Sequence, residues 1–254
     1  MDDARSSGEA MTFLAHLAEL RRRLILSLLA ILVGSVACFV LYGPIVDFLK
    51  APIQSIAGPG GEAFLFVGTV FEAFLVKFKV SIAAGFVATL PVHLFNTAAF
   101  VFPGLMSREK RIIAWSLAAS TVLAATGFSF GYFKLIPAML ELLASPSFFP
   151  GGVDFLLGFE KNIFFVVGFI LAVMIVFQLP LLLLVLLALD VLSRKATLRA
   201  SRYVVVGIFV LSAVVTPSPD MISQLMLAIP LIALYFLAIL TARILRLGEG
   251  RCSG

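Results

Sequence analysis

Charge is scarce in this chain. Only 13% of its 254 residues are charged, about half of what a soluble domain uses to cover its surface. Histidine appears twice, as His16 and His93, and cysteine twice, as Cys38 and Cys252. Neither histidine belongs to an HExxH motif, so a zinc protease lacks its ligands. Two cysteines so far apart suggest neither a disulfide framework nor a metal site. No GxSxG nucleophile faces a plausible base, and no pair of aspartates lies inside an apolar run. No internal repeat or low-complexity stretch is present. These absences argue against an enzyme, and no cofactor is expected. For His93, inside an apolar run, helix packing or a hydrogen bond is the simpler reading.

What the chain has instead is hydrophobicity, at 61% of residues. Six uncharged, mostly apolar stretches run over 24–46, 80–107, 112–133, 162–189, 203–219 and 221–242. Five of them can cross a hydrocarbon core of ~30 Å as helices at about 1.5 Å per residue. The stretch 203–219 reaches only about 26 Å, so the bilayer is expected to thin beside it. The expectation is an all-α polytopic membrane protein, one domain over 1–254, with larger external loops at 43–79 and 134–161.

The net charge of +5 is placed for a membrane and not for nucleic acid. Arg5, Arg21, Arg22, Arg23, Arg108, Lys110, Arg111, Arg194, Lys195, Arg199, Arg202, Arg243, Arg246 and Arg251 fall on one side of a six-span topology. Lys50, Lys77, Lys79, Lys134 and Lys161 fall on the other. The positive-inside rule therefore puts both termini in the cytoplasm. Residues 1–12 are polar and the first apolar run is too long for a cleavable leader, so none is expected.

Local signals refine this picture. Phe13, Leu14, Leu17, Leu20 and Leu24 make an apolar stripe at helical spacing that runs into the first span, with Glu19 and Arg23 able to pair at i, i+4. Phe64, Leu65, Phe66, Phe71 and Phe74 suggest short interfacial helices in the first external loop. Pro91 and Pro180 lie within apolar runs and predict kinks. Ser218 or Asp220 can cap the last helix after a tight Thr216-Pro217-Ser218-Pro219 turn. Gln178, which precedes Pro180 in "FQLP", needs a hydrogen-bond partner. A helix of this chain and a transmembrane helix of another protein both satisfy that need. Glu19 and Glu109 each have cations beside them. Local salt bridges explain both, and so does a cytoplasmic recess that receives guanidinium groups, for which a carboxylate is the natural partner.

Four motifs in order carry a resemblance: "HLAELRRRL", "LPVHLF…AFVFPGLMSREKR", "FQLPLLLLVL" and "TPSPDMISQLMLAIPLIALY". From about residue 11 to 246 the chain resembles TatC, the polytopic receptor subunit of the twin-arginine protein translocase. The resemblance implies a concave, glove-like six-helix bundle in the cell inner membrane, driven by the proton-motive force without an ATP site. It implies that Glu19 and Glu109 bind the two arginines of a signal peptide on folded cargo, with Leu20 and Arg21 shaping that site. It implies single-span partners of the TatA and TatB kind near spans five and six, and leaves room for a homo-oligomer. Gln178 matches a polar family position in span four that is often glutamate, Asp220 an acidic residue at the start of span six, and Pro52 a proline of the first external loop. Asn96, Ala98 and Phe236 stand where glutamine, tryptophan and glutamate are common. The expected function is thus a signal-peptide receptor and scaffold. The alternative is a secondary transporter of a small solute or ion, which would move its solute without partner subunits.

Overall fold

The computed structural model describes residues 3–54, 64–101, 107–143, 156–188, 191–216, 220–245 and 247, with side chains over 17–54, 65–97, 118–143, 157–188, 191–216, 220–245 and 247. The order is α1 (Asp3–Val40), α2 (Tyr42–Gln54), β1 (Phe64–Phe66), α3 (Val70–Ala88), α4 (Leu90–Val101), α5 (Ser107–Phe130), a π-helical turn (Gly131–Leu135) and α6 (Ile136–Leu143). There follow β2 (Leu156–Gly158), α7 (Phe159–Val176), α8 (Leu179–Ala188), α9 (Arg194–Val215) and α10 (Met221–Ile244). Among the described residues five helical stretches are long and apolar enough to cross a membrane: Leu17–Val40, Ala118–Leu143, Phe159–Ala188, Arg194–Val215 and Met221–Ile244. Val70–Ala88 and Leu90–Thr97 pass the same test as a pair, bent by 56°. The chain is an all-α, polytopic membrane protein. Among the described residues there is one sheet, a two-stranded parallel ladder pairing Phe64 with Leu156, Leu65 with Leu157 and Phe66 with Gly158. The expectation of short interfacial helices therefore fails at Phe64–Phe66, which form a strand too short to show alternation, while Phe71 and Phe74 belong to the long helix α3.

The prolines explain the breaks. Pro91 and Pro180 are each the second residue of a helix, α4 and α8, where the missing N–H would have had no intrahelical partner. The preceding helix stops just before each. Thr89 forms the turn between α3 and α4, its carbonyl accepting from Val92 and His93 at 2.9 and 3.3 Å. Phe177 and Gln178 turn between α7 and α8. Asp220 caps α10, its Oδ2 accepting from the Ser223 N–H at 2.6 Å, a contact worth about 1 kcal/mol.

The contacts divide the chain into two compact units, Met1–Tyr42 with Lys77–Leu117, and Gly43–Val76 with Ala118–Gly254. In the first, α1 crosses α3 at two glycines. A methyl group on Gly85 would stand 2.4 Å from the Ser35 backbone nitrogen, and one on Gly34 would stand 2.9 Å from the Gly85 carbonyl oxygen. In lipid no hydrophobic force drives helices together, so small residues that permit backbone approach carry the packing. Polar side chains add to it. Asn96 Nδ2 donates to Ser27 Oγ at 3.0 Å, and the Thr89 hydroxyl donates to the Gly85 carbonyl at 2.7 Å. His93 Nε2 lies 2.9 Å from that hydroxyl, and its ring stacks on Phe86. His93 thus serves α4 packing. Lys77 places its ammonium 4.3 Å from the Phe39 ring centroid, a cation–π contact.

In the second unit, Ile163, Val166, Ile170 and Val173 of α7 are buried at helical spacing, as are Leu227, Leu231 and Tyr235 of α10. The Tyr235 hydroxyl donates to the Thr197 carbonyl at 2.9 Å, tying α10 to α9. In the π-helical turn, Tyr132 donates to the Phe48 carbonyl at 2.5 Å and stacks on the Phe48 ring at 3.9 Å. These contacts hold α2 within the second unit.

Candidate functional site: carboxylates of the first unit

Glu19 lies on α1, two residues into the stretch long enough to cross a membrane. Arg23, one turn on, donates from Nε at 2.7 Å and from its terminal nitrogen at 2.6 Å, both to Glu19 Oε1. The i, i+4 order with glutamate first is the favourable one on a helix. Oε2 has no partner among the described residues. The Glu19 side chain keeps 33% of its exposure, so it is neither sealed nor fully solvated. Leu20 beside it is partly buried and Arg21 is exposed.

Glu109 is the third residue of α5, and its side chain lies outside the described residues. Its backbone belongs to the same compact unit as Glu19. Pro52, Gln178 and Asp220, also singled out in the sequence, lie in the second unit. Pro52 is buried inside α2, and Asp220 caps α10.

Gln178 is satisfied within the chain. Its Oε1 accepts from the Ser120 hydroxyl at 2.6 Å, and its Nε2 donates to the Ser120 carbonyl at 3.2 Å. This reciprocal pair joins α5 to the α7–α8 break. A primary amide has two N–H donors and two acceptor lone pairs, so one of each is left over. No sequence signal marked Ser120, an ordinary serine within an apolar helix. Ser120→Ala should lower stability by about 1–2 kcal/mol, because it deprives a half-buried amide of its donor. Thermal unfolding in detergent, compared with the conservative Ser120→Thr, reads this out.

The TatC family, described as "Sec-independent protein translocase protein (TatC)", matches residues 15–230. A Sec-independent protein translocase protein TatC of Synechocystis sp. is 35% identical over 239 residues, covering 92% of this chain and 89% of the relative. That of Deinococcus radiodurans is 33% identical over 233 residues, covering 91% and 85%. A crystal structure of the twin arginine translocase receptor TatC in DDM matches with a TM-score of 0.76 at 33% identity, covering 89% of this chain and 98% of that one. The solute-transporter alternative finds no support among these relatives. With its membrane-crossing helices, its fold and its sequence all pointing the same way, the chain belongs to the TatC family and is a membrane component of the Sec-independent, twin-arginine protein translocase.

Proposed function

We propose that this chain is the signal-peptide receptor and core scaffold of that translocase, with both termini on the cytoplasmic face of the cell inner membrane. Glu19 and Glu109 take the two arginines of the signal peptide, while Leu20 and Arg21 shape the surface between them. The supporting observation is the state of Glu19. It is a half-exposed carboxylate held on one oxygen by a neighbour in its own helix, with the second oxygen without a partner among the described residues. An exposed i, i+4 pair is worth about 0.3–0.5 kcal/mol. An incoming guanidinium that binds bidentately exchanges for it at little cost. The local bridge and the receptor role are therefore compatible, since Arg23 holds the carboxylate ready and yields it. The site acts by binding and not by catalysis.

In this reading the partners are twin-arginine signal peptides and single-span TatA-like and TatB-like subunits. The leftover amide proton and lone pair of Gln178 are what that residue offers to a partner helix. Pro52 and Asp220 serve the translocation scaffold by fixing α2 and the start of α10. A twin-arginine peptide carrying a photo-crosslinker should label the wild-type chain, and the variant with both Glu19→Ala and Glu109→Ala should insert normally yet lose that label. Undiminished labelling of the double variant overturns the reading.

A further inference from the structure

We propose that α9 carries a binding stripe for an anionic phospholipid. The stripe reads Lys195, Arg199, Arg202, Val206, Val210 and Val214, spaced by three or four residues, so it occupies one face of the helix. All six residues are exposed, and the valines keep 61%, 59% and 77% of their accessible surface. The opposite face is the packed one. Thr197 and Ser212 are buried there, and Val204 and Ile208 line a cavity of about 180 Å³ against Leu183, Leu231 and Tyr235. The stripe therefore faces outward, along a helix that crosses the membrane.

Its chemistry follows the layout of a phospholipid. Three cations lie over its first two turns and three aliphatic side chains over the next three. α9 contains no aspartate or glutamate, so nothing on the helix neutralises the cations. Lys195 and Arg199 make no ion pair or hydrogen bond among the described residues. Arg202 is oriented in advance, with its guanidinium 4.7 Å from the Tyr203 ring centroid and a terminal nitrogen donating to the Tyr203 hydroxyl at 2.8 Å. That contact leaves the other N–H groups free to meet phosphate oxygens. Ser193 caps the helix, whose positive dipole end adds to the attraction for an anion. A lipid phosphate rests on Arg199, Arg202 and Lys195, and its acyl chains lie along Val206, Val210 and Val214.

The test uses the purified full-length chain in detergent, titrated by native mass spectrometry with phosphatidylglycerol or phosphatidylcholine of identical acyl chains. Each surface cation strengthens anionic-lipid binding about five-fold, so the wild type should prefer phosphatidylglycerol at least about ten-fold. The combined Lys195→Gln, Arg199→Gln and Arg202→Gln variant should lose that preference with an unchanged melting temperature, and Arg199→Lys with Arg202→Lys should keep most of it. Should the triple variant unfold, Arg199→Gln alone should still reduce the preference several-fold. Equal binding of the two lipids by the wild type overturns the proposal, as does a preference that survives the triple substitution. Displacement of the lipid by millimolar inorganic phosphate overturns it too, since the site would then read only the anion. So does loss of a co-purifying polypeptide with lipid preference intact, since the stripe would then be a protein contact.

Discussion

Gly85→Val should prevent the full-length chain from accumulating as a folded membrane protein. Even the first carbon of the new side chain would lie 2.4 Å from the Ser35 nitrogen, 2.7 Å from the Gly34 carbonyl carbon and 2.7 Å from the Ser35 α-carbon. All three are backbone atoms, so no rotamer change relieves the clash and the two helices must separate. Overpacking a core generally costs about 1–3 kcal/mol. Here the crossing itself is lost, along with the van der Waals contact that binds helices in lipid, so about 3 kcal/mol or more is expected. That is a large part of the roughly 5–15 kcal/mol that holds a typical protein folded. Gly34→Val should be milder, because one of its two nearest contacts is the Thr89 methyl, a side-chain atom. Gly43 and Gly207 have open space around them, so valine at either is the control for insertion and expression. Comparing the yield of protease-resistant chain and the melting temperature in detergent decides the matter. A Gly85→Val chain that behaves like Gly207→Val would mean that the crossing is looser than described.

Glu19→Gln should weaken binding of a twin-arginine peptide by about ten- to a hundred-fold, since a hydrogen bond to a charged group contributes about 1.5–3 kcal/mol. Glutamine keeps the size of the side chain and removes only its charge, so the chain should melt as the wild type does. Arg23→Gln separates a receptor from a mere salt bridge. If Arg23 competes with the guest arginine, removing it leaves both oxygens of Glu19 open, and peptide affinity should hold or rise. If Glu19 only serves helix stability, the two substitutions should act alike and neither should change binding. Titration of a labelled peptide against the single and double variants gives the coupling between the two residues directly.

The sequence made the membrane-crossing character plain because apolar runs this long have few other uses. It also marked the points where helices break, because Pro91 and Pro180 lack an N–H that helix interiors require. The Asp220 cap and the Glu19–Arg23 pair were legible for a similar reason, since each depends on residues within one turn. What stayed hidden depends on distant partners. Gly34 and Gly85 look like any glycines in apolar runs, and their role exists only where α1 and α3 cross. Ser120 becomes meaningful only once α5 meets the α7–α8 break, so Gln178 could be read with equal ease as an internal or an external contact. The π-helical turn at Gly131–Leu135 has no composition of its own, and the first apolar run, which continues to residue 46 without a charge, conceals that α1 stops at Val40 and that the expected loop from residue 43 opens as a helix, α2.

The small parallel ladder has a mechanical meaning. Its three rungs join Phe64–Phe66 to Leu156–Gly158 through main-chain bonds, so the link does not depend on which side chains those six positions carry. A load applied near one strand is passed through the amide groups to the other, across chain segments that share no sequence neighbourhood. A membrane component of a protein translocase gains a strut there that survives sequence drift.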